Sequence, residues 1–206
     1  MNFSCIVLAG GKALRLGSDK ALEKINSQTL IQRSVSTLLG LGEEVIVVTA
    51  PGKTELGLDN YSGVRVVEDS ATGKGPLMGI YTGLSASKSE LNLVVACDMP
   101  FLNLDLIKFM LSQADSWDAV IPRIGNLMEP LHAIYSRNTK EIAMELINNG
   151  GYSLSQLLKK IRVRFIEEGE INLYDPRHLS FFNINFPEDL MNARDMVDKG
   201  MSALIR

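Results

Sequence analysis

The 206-residue sequence predicts an α/β protein with a mostly parallel sheet and helices on both faces. Two observations carry the prediction. Short apolar runs that read as buried strands recur at Phe3–Leu8, Glu44–Thr49, Val64–Val67 and Leu91–Ala96. Segments with helical character lie between them, and that alternation builds βαβ units. No internal repeat, low-complexity tract or linker interrupts the chain, so residues 1–206 are expected to form one domain.

Composition narrows the function classes. Hydrophobic residues make up 46% of the chain and charged residues 22%, the balance of a globular protein long enough for a sizeable core. A net charge of −3 provides no overall attraction to nucleic acid or to an anionic membrane. The N-terminus has no basic leader and its first apolar run stops at Gly10, so neither a signal peptide nor a membrane span is expected, and a cytoplasmic location is. Cys5 and Cys97 sit in apolar runs without a Cys-x-x-Cys or a nearby His, which reads as two buried structural thiols. His132 and His178 show no metal-ligand spacing, and His132 reads as a satisfied strand histidine.

In order along the chain, Phe3–Leu8 is the first strand. It runs into Leu8-Ala9-Gly10-Gly11-Lys12-Ala13-Leu14-Arg15-Leu16-Gly17-Ser18-Asp19-Lys20, where three glycines and three cations fall within eleven residues. Glycine lets backbone N–H groups turn inward and approach an anion closely, Arg15 can grip phosphate oxygens bidentately, and Lys20 is a compact point charge. An ordinary strand-to-helix turn with a solvated charge cluster is the other reading these residues allow. The spacing matches neither a Walker A loop, because Arg15 and Leu16 stand where its second glycine would be, nor a dinucleotide G-x-G-x-x-G.

Thr29 is the expected N-cap of a helix over 30–41 that puts Ile31, Val35, Leu38 and Leu39 on one face, with Gly40 or Gly42 ending it. After the second and third strands comes a helix around 80–87, and after the fourth a helix over 104–113. Strands are expected over 118–122 and 127–135, the latter able to lie antiparallel. Asn138 with Glu141 reads as a capping box for a helix to about Asn149, ended by Gly150-Gly151. A short helix follows over 153–161. The last helix is bracketed by Pro187 at its first position, Glu188 and Asp189 in its first turn, and Lys199-Gly200 at its end.

Three further constellations carry chemistry. Val67-Glu68-Asp69-Ser70-Ala71-Thr72-Gly73-Lys74-Gly75-Pro76-Leu77-Met78-Gly79 reads as a strand end, a glycine-rich loop and a helix start, with a plain structural loop as the alternative. Cys97-Asp98-Met99-Pro100 follows the strongest strand, and ligands of open α/β sheets bind beyond the carboxyl ends of strands. A carboxylate there can hold Mg²⁺, which takes one or two protein carboxylates and completes its shell with waters and substrate phosphates. Capping the next turn is the competing role for Asp98. In Phe181–Asp189, alternation puts Asn183 and Asn185 on one face of a strand, opposite Phe182 and Ile184; loop and N-cap duty is the alternative.

The pattern L-A-G-G-x-x-x-R-x-G-x-D-K at 8–20, Asp69 with Gly75-Pro76-Leu77-x-Gly79, Cys97-Asp98-x-Pro100 and N-x-N-x-P-E-D-L at 183–190 resembles the MobA-like nucleotidyltransferases, in the same order over nearly the whole chain. The likeness is strongest to their molybdenum cofactor guanylyltransferase branch. It implies a three-layer Rossmann-like nucleotidyltransferase fold and transfer of GMP from GTP to molybdopterin, with Mg²⁺ assistance and release of pyrophosphate. By the same resemblance Leu8, Ala9, Gly10, Gly11, Lys20, Asp69 and Asp98 would bind the nucleotide and Asp98 the metal. Arg15, Lys20 and Asp98 would be the catalytic charges, and Asn183 and Asn185 would belong to the half that accepts molybdopterin. Transient contact with molybdenum cofactor biosynthesis proteins or recipient molybdoenzymes is implied as well.

Lys12, Leu16, Met78 and Phe186 depart from residues common in the family pattern, and Thr49-Ala50-Pro51-Gly52 stands where an Asn is frequent at the nucleotide site. The alternatives are a related transferase using CTP or a sugar-phosphate acceptor, and a non-catalytic nucleotide-sensing module on the same fold. Retention of Arg15, Lys20 and Asp98 together argues against the sensor. A phosphate monoester acceptor has a second pKa of about 6, so it is largely ionised at neutral pH and needs no general base. That suits a candidate site without a histidine.

Overall fold

Side chains alternate across a strand, so a run that is apolar at every position is stable only where helices cover both faces of the sheet. The computed structural model, which describes residues 2–10, 19–69 and 75–200, has that arrangement. In chain order the elements are β1 (Phe3–Leu8), β2 (Lys24–Ile25), β3 (Gln28–Thr29), α1 (Leu30–Leu38), β4 (Val45–Thr49), β5 (Val64–Glu68), α2 (Gly75–Ala86), β6 (Leu91–Ala96), α3 (Leu104–Ser112), β7 (Ala119–Ile124), β8 (Leu127–Met128), β9 (His132–Ser136), α4 (Thr139–Asn148), α5 (Leu154–Leu158), β10 (Val163–Glu167), α6 (Glu168–Ile171) and α7 (Pro187–Asp198). Single 3₁₀ turns lie at Lys20–Leu22 and Leu179–Phe181.

β2 and β3 form a small hairpin, and the remaining strands make one sheet in the order β10-β7-β9-β6-β1-β4-β5, with β8 folded back on β7. β5, β4, β1 and β6 are mutually parallel. β9 is antiparallel to both β6 and β7, and β10 runs parallel to β7. From β1 the chain steps through β4 to β5 on one side, then crosses to β6 on the other. The carboxyl ends of β1 and β6 therefore flank the point where strand order reverses, which is where an open α/β sheet leaves its ligand crevice.

Helices α1 and α3 cover one face, packing Ile31, Val35, Leu38, Ile107 and Met110 on Cys5, Val7, Val47 and Val95. Helices α2 and α4 cover the other, packing Leu77, Ile80, Leu84 and Ile147 on Ile6, Leu8, Ile46 and Val48. A smaller cluster joins α7 to the β2–β3 hairpin through Ile25, Leu30, Ile184, Leu190 and Ala193. Helix α2 lies unusually close on β1, and its glycines are the reason. A Cβ at Gly83 would come within 2.5 Å of Ile6 Cγ2, and one at Gly79 within 3.3 Å of Leu8 Cδ2.

Thr29 caps α1 as expected, its hydroxyl accepting from Gln32 N while the Gln32 side chain accepts from Thr29 N. Other expectations are corrected. The strand over 127–135 is two strands, because the turn at Glu129-Pro130-Leu131 contains a proline with no N–H to give to a ladder. Asn138 makes no side-chain cap on α4: its backbone is already helical at φ −64° and ψ −20°, and an N-cap needs an extended residue. Thr139 instead donates to the Asp118 carbonyl. Residues 75–79 are the first turn of α2 rather than loop; Gly75 takes φ +69°, and Pro76 follows in a first turn whose N–H groups lack intrahelical partners. Residues 182–185 form no strand among the described residues, and are held by burial of Ile184 and by a 3.0 Å bond from Ile184 N to the Asp98 carbonyl. Strand β10 at the sheet edge, absent from the sequence expectation, interrupts its apolar residues with Arg164 and Glu167.

Cys5 and Cys97 are buried free thiols, as expected. Burial pushes the Cys5 pKa up to about 12 and, together with the Asp98 charge, raises that of Cys97. No described helix is long and apolar enough to cross a membrane.

Candidate active site

The carboxyl ends of β1, β4 and β6 and the first turn of α2 enclose one pocket. Leu8, Ala9, Gly10, Lys20, Asp69 and Asp98, all singled out from the sequence, line it together. Gly11 and Arg15 lie outside the described residues. The backbone explains why the chain leaves the sheet here. Leu8 is paired on both sides, to Val48 and Ala96, and Ala9 N still donates to the Val48 carbonyl at 2.8 Å. Among the described residues Ala9 makes the last such bond of this strand, and Gly10 begins the cation-rich stretch of the sequence.

Lys20 opens a 3₁₀ turn capped by Asp19, whose carboxylate accepts from Ala21 N and also pairs with Lys53 at 2.6 Å. The turn aims the Lys20 ammonium across the pocket. Its Nζ lies 2.5 Å from Asp98 Oδ2 and donates to Asn185 Oδ1 at 3.0 Å. Both members of the ion pair are largely buried, with side-chain exposures of 16% and 19%. Asp98 stands immediately beyond β6, fixed by Cys97 N donating to the Leu8 carbonyl and by Ile184 N donating to its own carbonyl. Its other oxygen, Oδ1, is buried and has no hydrogen-bond partner among the described residues.

Asn185 is presented by the segment before α7, where Asp189 Oδ2 accepts from both Asn185 N and Phe186 N at 2.8 Å. Phe182 of the same segment meets the Phe101 ring at 5.8 Å. Of the two amides, Asn185 is the one that reaches the described pocket residues; Asn183 donates to the Phe181 carbonyl at 3.3 Å. At the far end of the pocket Asp69 extends the β4–β5 pairing by one bond, its N–H donating to the Thr49 carbonyl at 2.7 Å. Thr82 on α2 donates its hydroxyl to Asp69 Oδ1 at 3.1 Å.

Sequence reasoning missed Thr82, Leu131 and Glu129. Thr82 follows Gly75 and Gly79 at helical spacing, a signal visible once α2 is known to begin at Gly75. Leu131 lines the pocket and accepts from Ala96 N at 3.0 Å, which brings the turn before β9 to the end of β6. Burial and then the charge of Asp98 push the Glu129 carboxyl above its usual range, so a second acid faces the Asp98 end of the site.

His132 lies behind the pocket, opposite Val95 in the β6–β9 pairing and edge-on to Phe181 at 5.1 Å. The expectation of a satisfied histidine is corrected, since neither ring nitrogen has a hydrogen-bond partner among the described residues. Burial lowers its pKa to about 4, against a smaller opposing pull from Asp175. The unfolded chain therefore takes up a proton near its ordinary value of about 6.5 that the folded chain refuses until about 4. Stability contributed by the neutral ring is complete above that window and is lost as pH falls through it, by up to about 3 kcal/mol. Urea unfolding of the wild type and His132→Leu at about pH 7 and about pH 4.5 checks this: the wild type should lose more stability than the variant. Equal losses would remove His132 as the source.

Comparison with known proteins agrees with this geometry. The MobA-like NTP transferase domain matches residues 5–164. A probable molybdenum cofactor guanylyltransferase of Pelotomaculum thermopropionicum is 33% identical over 200 residues, covering 97% of this chain and 96% of the relative. One from Methanosarcina mazei is 36% identical over 198 residues, covering 92% and 88%. Among solved structures, the molybdopterin-guanine dinucleotide biosynthesis protein A of Archaeoglobus fulgidus superimposes with a TM-score of 0.83 at 25% identity, covering 95% of this chain and 99% of that one. A mostly parallel βαβ sheet, a pocket at its reversal point and a family match over most of the chain agree: the protein belongs to the MobA-like NTP transferases.

Proposed function

We propose that this protein is a molybdenum cofactor guanylyltransferase, a single domain that moves GMP from GTP to molybdopterin and releases pyrophosphate. The observation that carries the reading is the Lys20–Asp98 pair at the reversal point of the sheet, in a chain whose relatives bear that name. In the transfer, an oxygen of the acceptor's phosphate forms a bond to the α-phosphorus of GTP while the bond from that phosphorus to the α,β-bridging oxygen breaks. The acceptor oxygen is already anionic, so no proton must be removed. What the protein has to supply is in-line positioning and positive charge.

Lys20 supplies the charge at the phosphates, with Gly11 and Arg15 assigned there from sequence alone. Asp98 would hold a divalent cation, Mg²⁺ in our reading. The donor set fits such an ion: among the described residues a carboxylate oxygen is buried without a partner, and no group of three or more His, Cys, Asp or Glu competes as a closed metal cage. When bound, the cation neutralises triphosphate charge and leaves the remaining coordination positions to phosphate and water. Asp69 lies at the other end of the pocket. β6 and β5 are three inter-strand steps apart, about 14 Å at ~4.8 Å per step, which matches the span from metal-bound phosphates to base in a nucleotide. Asp69 therefore takes the base, and its two acceptor oxygens suit the adjacent N1–H and 2-amino donors of guanine. Asn183 and Asn185 face the acceptor side, with Asn185 joining the two halves through Lys20.

A thermal-shift comparison of GTP, ATP, CTP and UTP with Mg²⁺ tests the reading. GTP at about 100 times its Kd should add roughly 2.7 kcal/mol of stability, more than any other nucleotide. A larger shift with CTP, or equal shifts with GTP and ATP, would favour a different transferase.

A further inference from the structure

The turn after β4 falls where the sequence departs from the family pattern, and neither the phosphate stretch nor the acceptor segment accounts for it. We propose that Lys53, at the end of this turn, is a positioning residue for Lys20: by pairing with Asp19 it ties the 3₁₀ turn at the base of Lys20 to the end of β4 and keeps the ammonium aimed at the triphosphate. This rests on the guanylyltransferase reading above.

The sheet fixes where Lys53 stands. Thr49 is the last residue of β4 and lines the pocket. Its hydroxyl donates to the Lys53 carbonyl at 2.9 Å, and Lys53 N donates to the Ala50 carbonyl at 3.1 Å. Gly52 takes φ +74° between them, a left-handed conformation that costs glycine nothing. From that anchored backbone Lys53 Nζ reaches Asp19 Oδ2 at 2.6 Å. Asp19 Oδ1 accepts from Ala21 N at 3.3 Å, so one carboxylate joins the turn that carries Lys20 to the turn that follows β4.

The tip of Lys20 is held by Asp98 and Asn185 at 2.5 and 3.0 Å. When the ammonium turns to a triphosphate, those bonds are exchanged for bonds to phosphate oxygens, and the turn at the base of the side chain is what still directs it. The Asp19–Lys53 pair is 20% and 47% exposed, so it adds little to the stability of the fold. Its effect is on placement, where a shift of about 1 Å costs up to about 10²-fold in rate. Two rival roles are open to an exposed lysine at this place: direct contact with the ligand, and neutralisation of Asp19 beside an anionic substrate.

A double-mutant cycle of Lys53→Met and Asp19→Asn, read by steady-state kinetics, separates the three. Lys53→Met keeps the stem and removes the ammonium, while Asp19→Asn keeps an oxygen for Ala21 N and loses the ion pair. Each single variant should lower kcat about tenfold with KM for GTP changed by less than about threefold, and the double variant should fall no further than either alone. Lys53→Arg, whose guanidinium also pairs with a carboxylate, should keep kcat within about twofold of the wild type. Melting midpoints should all stay within about 4 °C of the wild type, and Lys53→Gln replaces Lys53→Met if methionine disturbs the fold. Unchanged kcat in the folded Lys53→Met protein would leave a surface ion pair and overturn the proposal. Additive losses in the double variant would mean that Lys53 touches the ligand itself, and a double variant restored to wild-type turnover would mean that it only neutralises Asp19; either overturns positioning. The cycle is run with the nucleoside triphosphate that the wild type transfers best, so a wild type that prefers CTP or ATP to GTP overturns the guanylyl reading and is told apart from a failed cycle.

Discussion

Replacing Lys20 by alanine should lower turnover by about 10²–10³-fold, the loss seen when one preorganised charge stabiliser is removed from a reaction centre. The expectation follows from where the ammonium is held. Asp98 and Asn185 fix it at 2.5 and 3.0 Å beside the glycine-rich end of β1, so it meets the triphosphate already oriented and largely desolvated. The substitution also leaves the Asp98 carboxylate without its partner, which should cost about 1–3 kcal/mol of stability. Lys20→Arg separates the two effects. A guanidinium can restore pairing to Asp98, but its planar fork does not reproduce a compact ammonium at one phosphate oxygen. Melting should therefore recover in Lys20→Arg while turnover stays low. Near-normal turnover in a folded Lys20→Ala protein would take Lys20 out of the site.

Asp98→Asn should be comparably severe, by about 10²-fold or more in turnover, and for a different reason. The amide keeps the shape and the contact to Lys20 but cannot offer an anionic oxygen to a hard cation. Binding of GTP should split accordingly. With Mg²⁺ the variant should bind GTP more weakly than the wild type. Without metal it should bind as well or better, because one negative charge has been removed next to a triphosphate and Lys20 is no longer neutralised. Calorimetry in Mg²⁺ and in excess chelator reads both arms. Full metal-dependent binding by Asp98→Asn would mean that another group holds the cation.

Much of this site was legible in the sequence because strand ends were legible. Phe3–Leu8 and Leu91–Ala96 are apolar but for Ser4 and Asn92, so their ends, and with them Gly10 and Asp98, could be located without coordinates. The helix of 75–86 was harder: Gly75, Gly79 and Gly83 argue against a helix locally, and only the close packing of Gly79 on Leu8 and Gly83 on Ile6 shows why those two are there. Thr82 was hidden by the same misreading. The edge strand β10 was obscured because Arg164 and Glu167 put one charge on each face of a five-residue run, so no alternating pattern shows; Arg123 pairs with Glu167 across the β7–β10 ladder. Asn185 was read as a partner of the acceptor, and its bond to Lys20 is a long-range contact between the two ends of the chain that no local pattern encodes.

The most direct test of the account is a single-turnover assay with GTP labelled at the α-phosphate, molybdopterin and Mg²⁺. The account predicts that the label moves into a guanine dinucleotide product with one pyrophosphate released per transfer, and that CTP does not replace GTP. Transfer from CTP in preference to GTP, or pyrophosphate release without a labelled pterin product, would contradict it.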